Sequence, residues 1–217
     1  MGWHGWEILV RAIPYIRKVF PEVVFTFIGI NFDQAMNYLE KAEQKTIKKE
    51  IKSKKCLFLT KIPAKELSRI LSESQIGIAS HVTQGKILGC SPMKIFDYLR
   101  HGTVVIASDI PELIEINPKK DVITYFREGN PLDLAEKVIK LLSSEDVLLQ
   151  RSHLSLRLIA DKFNFHQKMM SLISLYSDII EQNEPKNNSL SRRGYIDYSA
   201  LRILFYYQGI KKKLRRY

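Results

Sequence analysis

Residues 91–109, SPMKIFDYLRHGTVVIASD, decide how the chain is read. Ser91 is a favourable N-cap, and Pro92 follows at the first helical position, where its missing N–H loses no hydrogen bond. Ile95, Tyr98 and Leu99 then fall on one helical face. Gly102 closes the helix, and Thr103–Ala107 is an almost unbroken β-branched run of the kind found in strands buried on both faces. The stretch is a loop, a helix and a parallel-type strand, with Lys94 and Asp97 on the first turns of the helix. A helix N-terminus presents free N–H groups and about half a positive charge, which suits a phosphate. The same spacing also describes a surface i,i+3 ion pair between Lys94 and Asp97.

Upstream of this block, Trp6, Leu9, Ile13, Ile16 and Phe20 recur at helical steps around Pro14. Val23–Ile28 reads as a strand closed by Gly29 and turn residues, and Gln34–Ile51 as one helix ending in lysines. Cys56–Thr60 is a short strand, Pro63–Glu73 a helix, and Gln75–Ala79 a strand leading into the polar loop His81–Cys90. Downstream, Ser108 or Asp109 is expected to cap a short helix with Pro111 near its start and Glu112 completing a capping box. Val122–Phe126 is a strand, Asn130–Pro131 opens the next helix, and two further helices cover about 145–162 and 166–181. Strands alternating with helices at this length predict a Rossmann-like parallel sheet flanked by helices, with ligands at the carboxyl ends of the strands. Such folds begin with a strand, whereas this chain begins with a helix. The expectation is therefore a sheet without its first strand, or the later part of a longer protein.

The chain has 217 residues, 45% hydrophobic and 26% charged, enough for one good core plus an extension. No apolar run approaches the roughly 18 residues of a membrane span, and no secretory leader is recognisable. Cys56 and Cys90 make neither a disulfide framework nor a metal spacing, so a reducing cytoplasm is expected. His81, His101, His153 and His166 likewise share no ligand spacing. The net charge of +11 is uneven, because residues 183–217 carry nine Lys/Arg against Glu184 and Asp197. The domains expected are 1–182, a folded α/β unit, and 183–217, a linker with a basic amphipathic tail. The lysines between Lys45 and Lys55 read as a solvated helix face.

Five pieces of the chain, in order, resemble the C-terminal, donor-binding domain of family 4 retaining glycosyltransferases of GT-B architecture. They are HGWEILVRAIPYIRKVFPEVVFTFIG (4–29), CLFLTKIPAKELSRILSESQIGIA (56–79), SPMKIFDYLRHGTVVIASDIPELIE (91–115), REGNPLDLAEKVIKLL (127–142) and FNFHQKMMSLISLY (163–176). The third resembles the family's P-x-K-x-x-E-Y-x-x-x-G-x-P-V-V-x-S block. The resemblance implies transfer of a sugar from a nucleotide diphosphate sugar to a glycan or lipid-linked acceptor, with retention, by a hexosyltransferase-type enzyme of polysaccharide biosynthesis. It implies Lys94 and Asp97 as the catalytic-site pair, Asp97 on the ribose hydroxyls. Gly89, Cys90, Ser91, Pro92 and Met93 would lie by the diphosphate and sugar, and Lys61 and Ile62 by the base. His4 stands where the family has a diphosphate-binding lysine, Asp97 where it usually has Glu, and Gly89 where the paired Glu of its motif falls. No cofactor is implied, since the nucleotide sugar is a substrate. The partners implied are that donor and a separate N-terminal acceptor domain.

The tail interleaves Tyr198, Leu201, Leu204, Phe205 and Ile210 with Arg202, Lys211–Lys213, Arg215 and Arg216. This pattern suits an anionic membrane surface on the cytoplasmic side, or a helix packed on the domain; no recognised module supports nucleic acid. The alternative function is a non-catalytic split or truncated fragment that binds membrane or partner through this tail. A dinucleotide enzyme is disfavoured, because no G-x-G-x-x-G follows any expected strand.

Overall fold

The computed structural model of the protein describes residues 4–83 and 93–182. Gly89, Cys90, Ser91 and Pro92 of the expected donor loop, the Ser91 cap and the expected tail 183–217 lie outside the described residues. The elements run α1 (Trp6–Val19), β1 (Phe25–Ile28), α2 (Phe32–Tyr38), α3 (Lys41–Lys52), β2 (Cys56–Leu59), α4 (Ala64–Glu73), β3 (Ile76–Ala79), α5 (Met93–Arg100), β4 (Val104–Ser108), α6 (Pro111–Ile114), β5 (Thr124–Phe126), α7 (Pro131–Leu142), α8 (Glu145–Lys162) and α9 (Phe165–Gln182). The alternation of strand and helix expected from the sequence is present, and all the strand pairings described are parallel.

The strands fall into two sheets, β1-β2 and β3-β4-β5. Phe25 stands opposite Cys56 in the first; Ile76 stands opposite Val104, and Ile106 opposite Thr124, in the second. Among the described residues β1 and β3 do not pair with each other, in a parallel sheet expected without its first strand. β4 is buried along its whole length, as its β-branched run requires. Val104 and Ile106 turn into one core with Ile13 and Ile16 of α1, Phe25 and Phe27 of β1, and Leu134 and Val138 of α7. Val105 and Ala107 turn into the opposite core, with Ile95 and Leu99 of α5, Leu113 of α6 and Ile123. Helices therefore cover both faces of the three-stranded sheet.

Two local readings are corrected. The single helix expected over Gln34–Ile51 breaks at Leu39 and Glu40, whose backbones are extended. The break drops the Leu39 side chain into the core, and each half closes with its own capping box, Asn31 with Gln34 and Glu40 with Glu43. At α6 the N-cap is Ile110, without a side-chain cap bond, although Pro111 stands at the first turn as expected. Asp109 is drawn away because its carboxylate accepts the Glu128 N–H at 2.7 Å. By contrast Asn130 caps α7 as read, accepting from the Leu132 and Asp133 N–H groups at 3.0 Å each.

Lys45, Lys48, Lys49 and Lys52 are exposed, as read, but α3 buries Glu43, Ile47 and Glu50 on its other face. Glu43 pairs with Arg11, and Glu50 with Arg17, both on α1. Arg17 also lies over the Phe25 ring, 5.2 Å from its centroid. These pairs join α1 to α3 by charge, beside the core that Ile47 of α3 shares with Ile13 and Ile16 of α1. A second compact unit begins at Gln167. In it α9 carries Leu172, Leu175, Tyr176 and Ile179 as an exposed apolar stripe at helical spacing. Among the described residues no helix is long and apolar enough to cross a membrane.

Candidate functional site

Gly77 controls how close α5 comes to the sheet. A Cβ there would stand 2.5 Å from Cγ of Tyr98, so only glycine lets the Tyr98 ring lie on β3. This close approach sets the first turn of α5 near the carboxyl end of β3. The chain entering α1 reaches the same place: Ser80 Oγ donates to the His4 carbonyl at 3.3 Å. Gly5, with φ of 57°, passes so close to the Ser80 carbonyl that a side chain would collide with it.

Three side chains from distant positions meet there. Lys94 Nζ donates to His4 Nδ1 at 3.2 Å. His81, fully buried, holds its ring 6.0 Å from that of His4 at a tilt of 58°. Burial, then the neighbouring Lys94, lowers the His4 pKa. The same causes, with His4 added, push His81 down to about 4, so its ring is neutral at pH 7. Burial also lowers the Lys94 pKa. Among the described residues no carboxylate forms an ion pair with the Lys94 ammonium, which stands beside the two imidazoles. The N-termini of α1 and α5 open at this point and add their positive ends.

The remaining expected residues divide. Asp97 sits one turn along α5, but its Oδ1 pairs with Arg100 Nε at 3.2 Å rather than with Lys94. Lys94 turns across to His4 and Arg100 takes its place, so the simple Lys94–Asp97 pair does not form. The Asp97 carbonyl accepts from His101 Nδ1 at 2.7 Å, while its side chain stays 34% exposed. Met93 is exposed at the start of α5. Lys61 and Ile62 lie in the turn after β2, Lys61 exposed with φ of 53°. No hydrogen bond or ion pair among the described residues joins them to the Lys94 cluster.

His81 was legible only as an isolated histidine, and a further group escaped the sequence altogether. Thr83 donates through its N–H and its Oγ1 to the Glu128 carboxylate, the latter at 2.8 Å, and Glu128 in turn donates its N–H to Asp109. These residues tie together the loops that follow β3, β4 and β5. Their shared signal is position, each falling within a few residues of the carboxyl end of a parallel strand.

The sequence profile of the family described as "Glycosyl transferases group 1" matches residues 1–144. The chain belongs to this family. No protein of curated function matches the sequence. Among solved structures, the fold is similar to the C-terminal domain of the group 1 glycosyl transferase LpcC from Francisella tularensis, with a TM-score of 0.62 and 16% identity over 75% of this chain and 81% of that one. It is also similar to Anabaena Alr3699/HepE, solved in complex with UDP-glucose, with a TM-score of 0.65 and 14% identity over 81% of this chain and 46% of that one. A glycosyltransferase from Rickettsia africae gives a TM-score of 0.62 and 16% identity over 85% of this chain and 46% of that one. The group 1 chain described here thus spans less than half of the last two proteins, and its fold is that of one GT-B half.

Proposed function

We propose that this chain is the donor-binding half of a retaining sugar transferase, and that it holds a nucleotide diphosphate sugar between the first turn of α5 and the carboxyl ends of β3 and β4. The observation that carries the reading is the half-buried Lys94 ammonium at the first turn of α5, which contacts His4 and forms no ion pair with a described carboxylate. A diphosphate supplies both a negative charge for this ammonium and acceptors for the helix N–H groups. Membership of the group 1 family and the UDP-glucose bound to the Anabaena neighbour support a nucleotide sugar as that anion.

In the proposed reaction the bond between the anomeric carbon and the diphosphate oxygen breaks, and its electron pair leaves on the diphosphate. Lys94 and the α5 N-terminus meet the charge that develops, with His4 and His81 as neutral donors that orient it. Asp97 would take the ribose hydroxyls after parting from Arg100, and Lys61 and Ile62 the base. Gly89–Met93 would lie along the sugar and diphosphate. The acceptor hydroxyl attacks from the face the diphosphate leaves and passes its proton to the departing diphosphate oxygen, which preserves configuration. Acceptor contacts come from a facing N-terminal half, consistent with the share of the longer neighbours this chain spans.

Calorimetric titration of UDP-glucose and GDP-mannose into the wild type, Lys94→Met and Asp97→Ala tests the site. Losing a charge-assisted hydrogen bond weakens binding about tenfold or more, so both variants are expected to lose affinity by that factor. Equal binding by all three, or none at millimolar ligand, overturns the assignment. The basic segment 183–217 is proposed to hold the enzyme peripherally on an anionic cytoplasmic membrane surface. Sedimentation with phosphatidylserine vesicles, with and without that segment, checks this; unchanged co-sedimentation after deletion disproves it.

A further inference from the structure

The exposed side of α3 carries a charge pattern that the donor site does not use. At about 100° per residue, Lys41, Lys45, Lys48, Lys49 and Lys52 fall within an arc of roughly 100° around the helix. All five are exposed, and among the described residues none is in an ion pair. The two acids of the helix, Glu43 and Glu50, lie on its opposite side, where they pair with Arg11 and Arg17. The arc therefore presents positive charge with no acid between. An apolar step borders it. Ile51, about 60° from Lys48 around the helix, is exposed and lines an open depression with Phe32, Cys56, Leu57 and Phe58. Leu57, on β2, is 45% exposed there.

The composition of the arc, lysine without arginine or acid, narrows what it suits. Protein interfaces favour arginine and deplete lysine, whose compact ammonium is strongly hydrated. Recognition of nucleic acid leans on arginine forks and aromatic stacking, and the arc has no arginine and no aromatic residue. At a bilayer the ammonium stays wet among anionic headgroups, while its stem and a neighbouring aliphatic side chain reach the acyl boundary. The segment 183–217 is itself basic, so it offers this arc no counter-charge. We propose that the lysine face of α3 docks on a bilayer of anionic lipids, with Ile51 and Leu57 at the acyl boundary. The contact belongs to the first compact unit and is independent of the one proposed for residues 183–217.

Co-sedimentation of the full chain with vesicles of phosphatidylserine and phosphatidylcholine, and of phosphatidylcholine alone, tests the charge. The variant Lys45→Gln/Lys48→Gln/Lys49→Gln/Lys52→Gln is compared with Lys65→Gln/Lys119→Gln/Lys140→Gln/Lys168→Gln, which removes four exposed charges elsewhere. The α3 variant is expected to lose at least about tenfold more affinity for the anionic vesicles than the control variant does. A second measurement needs no variant. In phosphatidylserine nanodiscs carrying a spin-labelled lipid, the methyl signals of Ile51 and Leu57 are expected to broaden. Those of Leu132 and Leu149, exposed on α7 and α8, are expected to stay sharp. Equal weakening by the two variants overturns the proposal, as do sharp Ile51 and Leu57 signals or equal broadening at all four positions. Binding of soluble poly-glutamate through the same lysines, without binding to vesicles, overturns it too and gives the face to an acidic protein.

Discussion

Lys94 Nζ lies 3.2 Å from His4 Nδ1 although ninety positions separate them in the chain. The contact joins the first turn of α5 to the entrance of α1 and brings a cation onto a ring whose own pKa is lowered partly by that cation. Lys94→Met removes that electrostatic cause at both imidazoles and leaves burial, the larger cause at each. The His4 and His81 pKa values are therefore expected to rise in the variant without regaining the free-histidine value. Histidine titration by NMR checks this, and an unchanged pair of values would separate Lys94 from the cluster.

Gly77 carries a prediction about position rather than charge. Gly77→Ala places a methyl 2.5 Å from the Tyr98 ring, a distance at which ring or helix must move. Overpacking of this kind costs about 1–3 kcal/mol, and the shift here falls on the helix that carries Lys94 and Asp97. Urea denaturation should show the loss, and donor affinity should fall with it. Full donor affinity in a destabilised Gly77→Ala protein would show that α5 is held by other contacts.

The buried Glu50 predicts a non-additive pair. Glu50→Ala strands the Arg17 guanidinium, whose side chain is 16% exposed, and is expected to cost about 3 kcal/mol. Arg17→Met together with Glu50→Leu removes both charges and should cost less than the two single changes added. Chemical denaturation of the four proteins closes the cycle. Strict additivity would mean that the pair does not hold α1 to α3.

His81 predicts acid sensitivity with a defined sign. Its folded pKa, about 4, lies below the ordinary 6.5, so the unfolded chain binds its proton first as pH falls. The stabilising effect of the neutral ring is complete above about pH 6.5 and is lost as pH falls toward 4, on the order of 3 kcal/mol in all. His81→Leu should flatten the stability profile across that window relative to wild type. Urea midpoints at pH 4.5 and 7 measure it; an identical fall in both proteins would assign the acid sensitivity to the carboxylates instead.

How much was legible follows from the range of the forces involved. Local signals act within a turn or two, and they placed the strands and helices, the Asn130–Pro131 start of α7 and the buried character of β4 from residue types alone. The same residues carried the resemblance to the group 1 family and singled out Lys94. The failures came where a distant partner outbid a local one: Asp109 left the α6 cap for the Glu128 N–H, and Asp97 met Arg100 once Lys94 had turned to His4. The burial of Glu43 and Glu50 on a lysine-rich helix depends on arginines more than thirty residues away, which no periodicity reveals.

Helices, strands and the α7 start are thus written in the sequence, because propensity, capping and alternation depend only on neighbours along the chain. The meeting of residues 4, 81 and 94, the seat of Tyr98 on Gly77 and the grouping of the described strands belong to the tertiary structure alone. Burial sets them, since the pKa of a histidine and the pairing of a strand edge depend on what packs beside them in space.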